Sequence, residues 1–285
     1  MTKALILLLA FSTTALYSQS KRKTKNIKEL TSDELHEFLD KQIGFDSRYD
    51  SSVDKTELGN AHAISTNKEK NPDIIRGMTP QFESEFDSLI DDLSVTDFLI
   101  FKVQTRQEVD TETEILKRNY DFKKEQIHHI PMRYKDIKSF ETGCSNTVKA
   151  LQLMKEIDED PKRKLFFHCT IGEDRTGYLS ALWSLINNQD NNESNVDKLE
   201  NVFKKDMCGN GYGSGNPNKP DFVVDHIRDE LTVLFHKMSY LILVKKMISL
   251  DDLNLKACKR EPSRKSKTFR TWSKQANKVA GKCDL

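Results

Sequence analysis

Residues 164–177, Lys-Leu-Phe-Phe-His-Cys-Thr-Ile-Gly-Glu-Asp-Arg-Thr-Gly, constrain this chain more than any other stretch. The short apolar run at 164–167 reads as a buried strand, and residues 178–186 carry apolar side chains at helical spacing. A cysteine therefore ends a strand, five residues make a loop, and Arg175 opens a helix. Backbone N–H groups of such a loop point inward at the helix N-terminus and form a nest for a tetrahedral oxyanion. Arg175 adds a planar fork that can hold two oxygens of that anion. Cys169 sits at the floor of the nest, where the positive field is expected to lower a thiol from about 8.5 into the range of roughly 3.5–7.5. The local pattern predicts a thiolate presented to a bound phosphate.

The five positions His168, Cys169, Arg175, Thr176, Gly177 and the spacing between them resemble the signature of the cysteine-dependent phosphatases, the superfamily of protein tyrosine and dual-specificity phosphatases. The resemblance implies that Cys169 is the nucleophile, and that Thr170, Ile171, Gly172, Glu173, Asp174 and Arg175 hold the substrate phosphate. It also implies that the Thr176 hydroxyl stabilises the departing thiolate and that His168 helps hold the loop. Family members take a general acid from a loop some thirty residues upstream. Asp136 lies there, 33 residues before Cys169, and is expected to act as acid and then as base. Asp174 is its rival. The string Asp174-Arg175-Thr176-Gly177 resembles a bacterial subgroup that commonly carries lysine where this chain has Glu173. That acid is expected to lower the positive potential at the pocket. The implied mechanism needs neither metal nor cofactor, and His128 and His129 read as strand residues. Rhodanese-type sulfur transfer also uses a cysteine in an anion loop, but with the arginine placed differently.

Strands expected near 97–103 and 126–130 alternate with helices near 80–93, 110–120 and 145–157, the first capped by Thr79 with Pro80 at its first position. This alternation predicts an α/β fold with a central, mainly parallel sheet flanked by helices. Its order, with Arg76 ahead of the first helix, is similar to the dual-specificity phosphatase plan over about residues 73–250. An amphipathic helix capped by Thr31 or Ser32 is expected within a polar N-terminal extension, 21–72. A helix near 196–205 leads into a glycine-rich loop at 208–217, and residues 231–250 read as a core helix interrupted by charges.

Residues 1–20 hold one lysine, an apolar run and small residues, the shape of a signal peptide too short to span a membrane. Export to the periplasm or medium is the expectation. No transmembrane segment is expected after its removal, and nothing points to nucleic acid. Of five cysteines, four remain beside Cys169: Cys144, Cys208, Cys258 and Cys283. They allow three pairings, among which the sequence does not choose, and free thiols are the other reading. The basic C-terminal extension, 251–285, carries a net +8 from residue 256 onward, against −8 on the rest of the chain without its first twenty residues. It is read as docking on that acidic body, as a solvated tail, or as lying on an anionic surface.

The function these observations predict is a secreted phosphomonoester hydrolase with a phosphocysteine intermediate. Its substrate is phosphoprotein or an inositol polyphosphate, the latter as in secreted phytases of the superfamily. A catalytically weak phosphatase fold that binds phosphorylated partners is the alternative.

Overall fold

The computed structural model describes residues 27–43, 58–64, 73–102, 106–187, 192–212, 221–247, 249, 251–281 and 283. The expected signal peptide at 1–20 lies outside them, as do parts of the N-terminal extension and the second half of the glycine-rich loop.

Five strands form one sheet: β1 (His62–Ala63), β2 (Ile74–Gly77), β3 (Asp97–Ile100), β4 (Ile127–His129) and β5 (Leu165–His168). Their spatial order is β1-β2-β5-β3-β4, parallel throughout except for the short antiparallel edge β1. The mainly parallel α/β fold expected from the sequence is what forms, and β5 runs through its centre. Its last residue, His168, pairs with Gly77 on one side and Ile100 on the other. The chain therefore leaves the sheet at the carboxyl ends of three parallel strands, where open α/β folds make room for ligands.

Side-chain alternation along β5 divides the core in two. Leu165 and Phe167 face a large cluster built on α5 (Phe140–Asp158), α6 (Asp174–Asn187) and α8 (Asp221–Ser239). Phe166 faces a smaller one with Leu35 and Leu39 of α1 (Ser32–Ile43), Phe86 of α2 (Glu83–Asp87), and Ile115 and Leu116 of α3 (Arg106–Asn119). Thr31 caps α1, exchanging hydrogen bonds with Glu34 in a capping box. The remaining helices are α4 (Tyr134–Lys138), α7 (Asn195–Val202) and α9 (Lys267–Val279), and π-helical turns extend α7 and α8 over Phe203–Met207 and Tyr240–Val244.

One local expectation is corrected. The helix expected at Pro80 begins at Glu83, because Glu85 reaches back to the Gln81 and Phe82 amides at 2.6 and 3.1 Å. Thr79 is taken into the sheet's carboxyl edge instead. Of the three readings of the C-terminal stretch, docking on the body is the one that holds: Leu253, Cys258, Phe269, Trp272, Ala276 and Ala280 all belong to the larger core. Disulfides join Cys144 of α5 to Cys258, and Cys208 to Cys283. Closing chain separations of 114 and 75 residues, each removes unfolded-state entropy worth about 4–5 kcal/mol in the loop-closure picture. Cys169 is the cysteine left unpaired.

A candidate active site

The loop from Cys169 to Asp174 joins β5 to α6, and the groups that hold its carbonyls explain its shape. Thr79 Oγ1 donates to the Cys169 carbonyl at 2.7 Å, and the Thr79 amide donates to the Thr170 carbonyl at 3.1 Å. Arg76 Nη2 donates to the Gly172 carbonyl. In a trans peptide the C=O and the following N–H point in opposite directions. Turning these three carbonyls toward the protein therefore turns the amides of Thr170, Ile171 and Glu173 the other way, as an anion nest requires. Gly172 has φ +72°, and a Cβ there would lie 2.7–2.8 Å from the Gly77–Met78 backbone. Only glycine fits that close approach.

Arg76 is 1% exposed and is the post under the loop. Its Nη1 donates to the Asp206 carbonyl at 2.7 Å and to Ser180 Oγ at 3.3 Å. Burial pushes its guanidinium down to about 10, against the opposing pull of Asp206, Cys169 and Glu173. Gly177, the last residue of the signature, lets α6 approach the Phe203–Met207 turn. A Cβ there would stand 3.1 Å from the Asp206 carbonyl, a close fit.

The expected site residues fall into three groups. Cys169 (2% exposed), Arg175 (7%) and Thr176 (0%) stand at the mouth of α6. The Cys169 amide donates to Thr176 Oγ1 at 2.8 Å, and Arg175 Nε donates to the Met132 carbonyl at 2.7 Å. That second bond fixes the plane of the Arg175 fork and ties the 130–133 segment to the nest.

His168 belongs to a second group beneath the loop. It is fully buried and stacks on Phe166 with ring centres 5.4 Å apart. Its Nδ1 lies 2.9 Å from the Cys169 carbonyl and 3.1 Å from Thr79 Oγ1. Because the Thr79 proton goes to the Cys169 carbonyl, Nδ1 is assigned as a donor. Nε2 lies 2.6 Å from Glu112 Oε1. Glu112 Oε2 in turn lies 3.4 Å from Lys102 Nζ, and Lys102 donates to Thr79 Oγ1 at 3.1 Å. Burial would raise the Glu112 carboxyl, but His168 and Lys102 outweigh it and hold it below the usual carboxylate range.

The acids form the third group. Asp136 sits in α4, its carboxylate clamped by Arg133 through Nε at 2.7 Å, Nη2 at 3.1 Å and the backbone amide at 3.0 Å. Burial alone would raise it, but these bonds prevail and hold it low. Asp174 accepts from Arg228 Nε of α8 at 3.0 Å, and the fully buried Glu173 lies 4.0 Å from Arg228 Nη2. Arg228 of α8 thus answers Asp174 directly and stands at the edge of ion-pair range of Glu173, one cation against two carboxylates. His128 is a strand residue 3.1 Å from Asp97, and His129 shares that strand.

Sequence reasoning missed Thr79, Lys102, Glu112 and Arg228, and noted Arg76 without giving it a task. A signal existed for Glu112. It falls on the buried stripe of α3, three residues after Val109 and three before Ile115, where a lone carboxylate demands a partner.

A family model described as the tyrosine phosphatase family matches residues 23–193. It starts well before the stretch 73–250 that the signature's surroundings suggested. No curated protein matches the chain significantly. Among solved structures, the core catalytic domain of the PP-IP phosphatase SIW14 from S. cerevisiae, in complex with citrate, is 20% identical. The alignment covers 67% of this chain and 99% of that one, with a TM-score of 0.36. A second structure, of the Siw14 catalytic core, is 16% identical over 68% of this chain and 99% of its own, with a TM-score of 0.35. Overlaps of that quality carry no argument about this chain.

Proposed function

The chain belongs to the tyrosine phosphatase family, and from that premise we propose that it hydrolyses phosphomonoesters through a phosphocysteine intermediate outside the cytoplasm. The nest holds the phosphoryl oxygens, with the Arg175 fork bridging two of them. Cys169 Sγ attacks phosphorus, forming the S–P bond as the P–O bond to the leaving group breaks. Asp136 gives its proton to the leaving oxygen. It then takes one from the water that attacks phosphorus, and the S–P bond breaks to return the thiolate beside Thr176. For Asp136 to hold a proton, Arg133 has to let go of it. Arg133 is about a third exposed (34%), and an incoming phosphate dianion competes for it.

The observation that carries this reading is the set of loop carbonyls drawn inward by Thr79 and Arg76, which orients the intervening amides toward an anion. Wild type is expected to turn over an aryl phosphate, and Cys169→Ser to lose turnover while still binding vanadate. Retained turnover in Cys169→Ser would end the proposal. Phosphoprotein is the first substrate class the family suggests. Inositol polyphosphates are the second, suggested by the likeness to secreted phytases of the superfamily. Rates on phosphotyrosine peptide, phosphoserine peptide and inositol hexakisphosphate separate the two. The Arg133 clamp on Asp136 favours one other reading, a slow enzyme that mainly binds phosphorylated partners. Tight vanadate binding with negligible turnover of every substrate would select it. Export is supported by the two disulfides, which persist in oxidising compartments. Finding the protein uncleaved in the cytoplasm would refute export.

A further inference from the structure

The C-terminal segment docks on the body, but not through its charge. Its contacts are apolar, covalent and neutral. Phe269 packs edge-on to Tyr240 with ring centres 5.1 Å apart, and Trp272 Nε1 donates to the His236 carbonyl at 3.0 Å. Cys258 and Cys283 are bonded to the body. Among the described residues, the one ion pair joining this segment to the body is Glu261 to Lys237 at 2.6 Å, in which the segment supplies the acid. The positive charge is therefore left facing outward.

That charge is ordered. Lys267, Arg270, Lys274 and Lys278 are all exposed and follow one another at intervals of three, four and four residues. They form one stripe along the outer face of α9, about 16 Å long. At the start of α9, where Ser266 precedes Lys267, a cleft of about 810 Å³ is lined by the cations Lys256, Lys259 and Arg260 and by the acids Asp252 and Glu261. None of these seven cations has a carboxylate partner among the described residues. Like charges held in register on a disulfide-pinned helix repel one another, a cost that an anionic partner removes.

The partner's chemistry follows from what else the surface offers. The apolar face of α9, with Phe269, Trp272 and Ala276, is buried against the body, so no greasy face remains to enter a bilayer. The nearby rings of Tyr240, Phe269 and Trp272 are likewise buried, so no platform is left for stacking bases. A single row of cations about 16 Å long fits a chain better than a plane. We propose that α9 and the cleft at its start bind a flexible, linear polyanion bearing phosphate or sulfate groups. The proposal does not depend on the chemistry at Cys169.

The test uses the full chain, with a heparin-derived octasaccharide as the sulfate probe and short-chain inorganic polyphosphate as the phosphate probe. Anisotropy titrations are expected to show binding whose affinity falls log-linearly with salt. Lys267→Gln, Arg270→Gln, Lys274→Gln and Lys278→Gln together are expected to weaken it by roughly 10²-fold, leaving aryl phosphate turnover unchanged. Replacing the three lysines by arginine is expected to preserve affinity. Should the glutamine variant fail to fold, Lys256→Gln with Lys259→Gln and Arg260→Gln addresses the cleft separately and is expected to weaken binding of both probes. Binding of one probe only assigns the group, sulfate or phosphate, within the proposal. Unchanged affinity in a folded glutamine variant, no binding of either probe, or tighter binding to anionic vesicles or single-stranded DNA each overturns it.

Discussion

The two faces of β5 carry the same strand and solve opposite problems. Leu165 and Phe167 face an apolar core that includes α5, α6, α8 and the C-terminal segment. Phe166 and His168 face the other side, where Glu112 of α3 and Lys102, just after β3, are buried with no exposure at all. The first face supplies stability by removing apolar area from water. The second carries charges that cost energy to bury, and those charges end on the carbonyls that shape the loop. The division is partial: Arg76, on the same face of β2 as Ile74, holds the Gly172 carbonyl from the α6 side, while Thr79, Lys102, Glu112 and His168 hold the Cys169 end from the α3 side. The contrast still yields variants that test each face.

The largest expected effect is on the charged face. Glu112→Ala leaves Lys102 buried without its carboxylate and is expected to cost about 3–5 kcal/mol, read by denaturant unfolding, together with a loss of aryl phosphate turnover. Adding Lys102→Met is expected to restore stability but not rate. A Glu112→Ala enzyme that is destabilised yet turns over at the wild-type rate would reduce this face to a structural support.

The disulfides test the apolar face. Replacing Cys144 and Cys258 together by serine is expected to cost about 2–5 kcal/mol, with little change in the chemical step. Equal stability of wild type with and without reductant would contradict it.

Asp97 lies at the far end of the sheet, remote in sequence from the loop. Burial would raise its carboxyl, but His128, Arg163 and Thr96 outweigh that and hold it at about 2, below its unfolded 3.8. Its contribution is therefore fully present above about pH 4 and is lost as pH falls toward 2. Asp97→Asn is expected to cost about 2 kcal/mol at neutral pH and to flatten the acid limb of the stability curve. His62 acts in the same direction at higher pH. Burial and Arg76 push its imidazole down to about 4, so its contribution is lost between about 6.5 and 4. An acid limb unchanged in Asp97→Asn would remove this assignment.

The smallest effect belongs to Phe167→Leu, a near volume-conserving change on the apolar face. About 1 kcal/mol is expected, with turnover retained. A large loss of rate there would show that the two faces are not separable.

Much of this was legible in the sequence. The strand, the five-residue loop and the helix around Cys169 are local, and their residue types and spacing alone place Cys169, Arg175 and Thr176 together. The alternation of strands and helices likewise implied the parallel sheet, and Thr31 or Ser32 marked the start of α1, the structure choosing Thr31. These features are set within a few residues, by side-chain period and capping chemistry. Tertiary structure alone decided the rest. Arg76 reaches Gly172 across 96 residues of chain, and Glu112 reaches His168 because sheet order lays α3 against β5. The cysteine pairing was open among three choices until the C-terminal segment met α5 and the Cys208 turn. Charge balance and the terminal cysteines suggested that this segment docks on the body, and it does, through apolar contacts and disulfides, while its lysines face outward. Composition counts charges, but only packing decides which side of a helix they occupy.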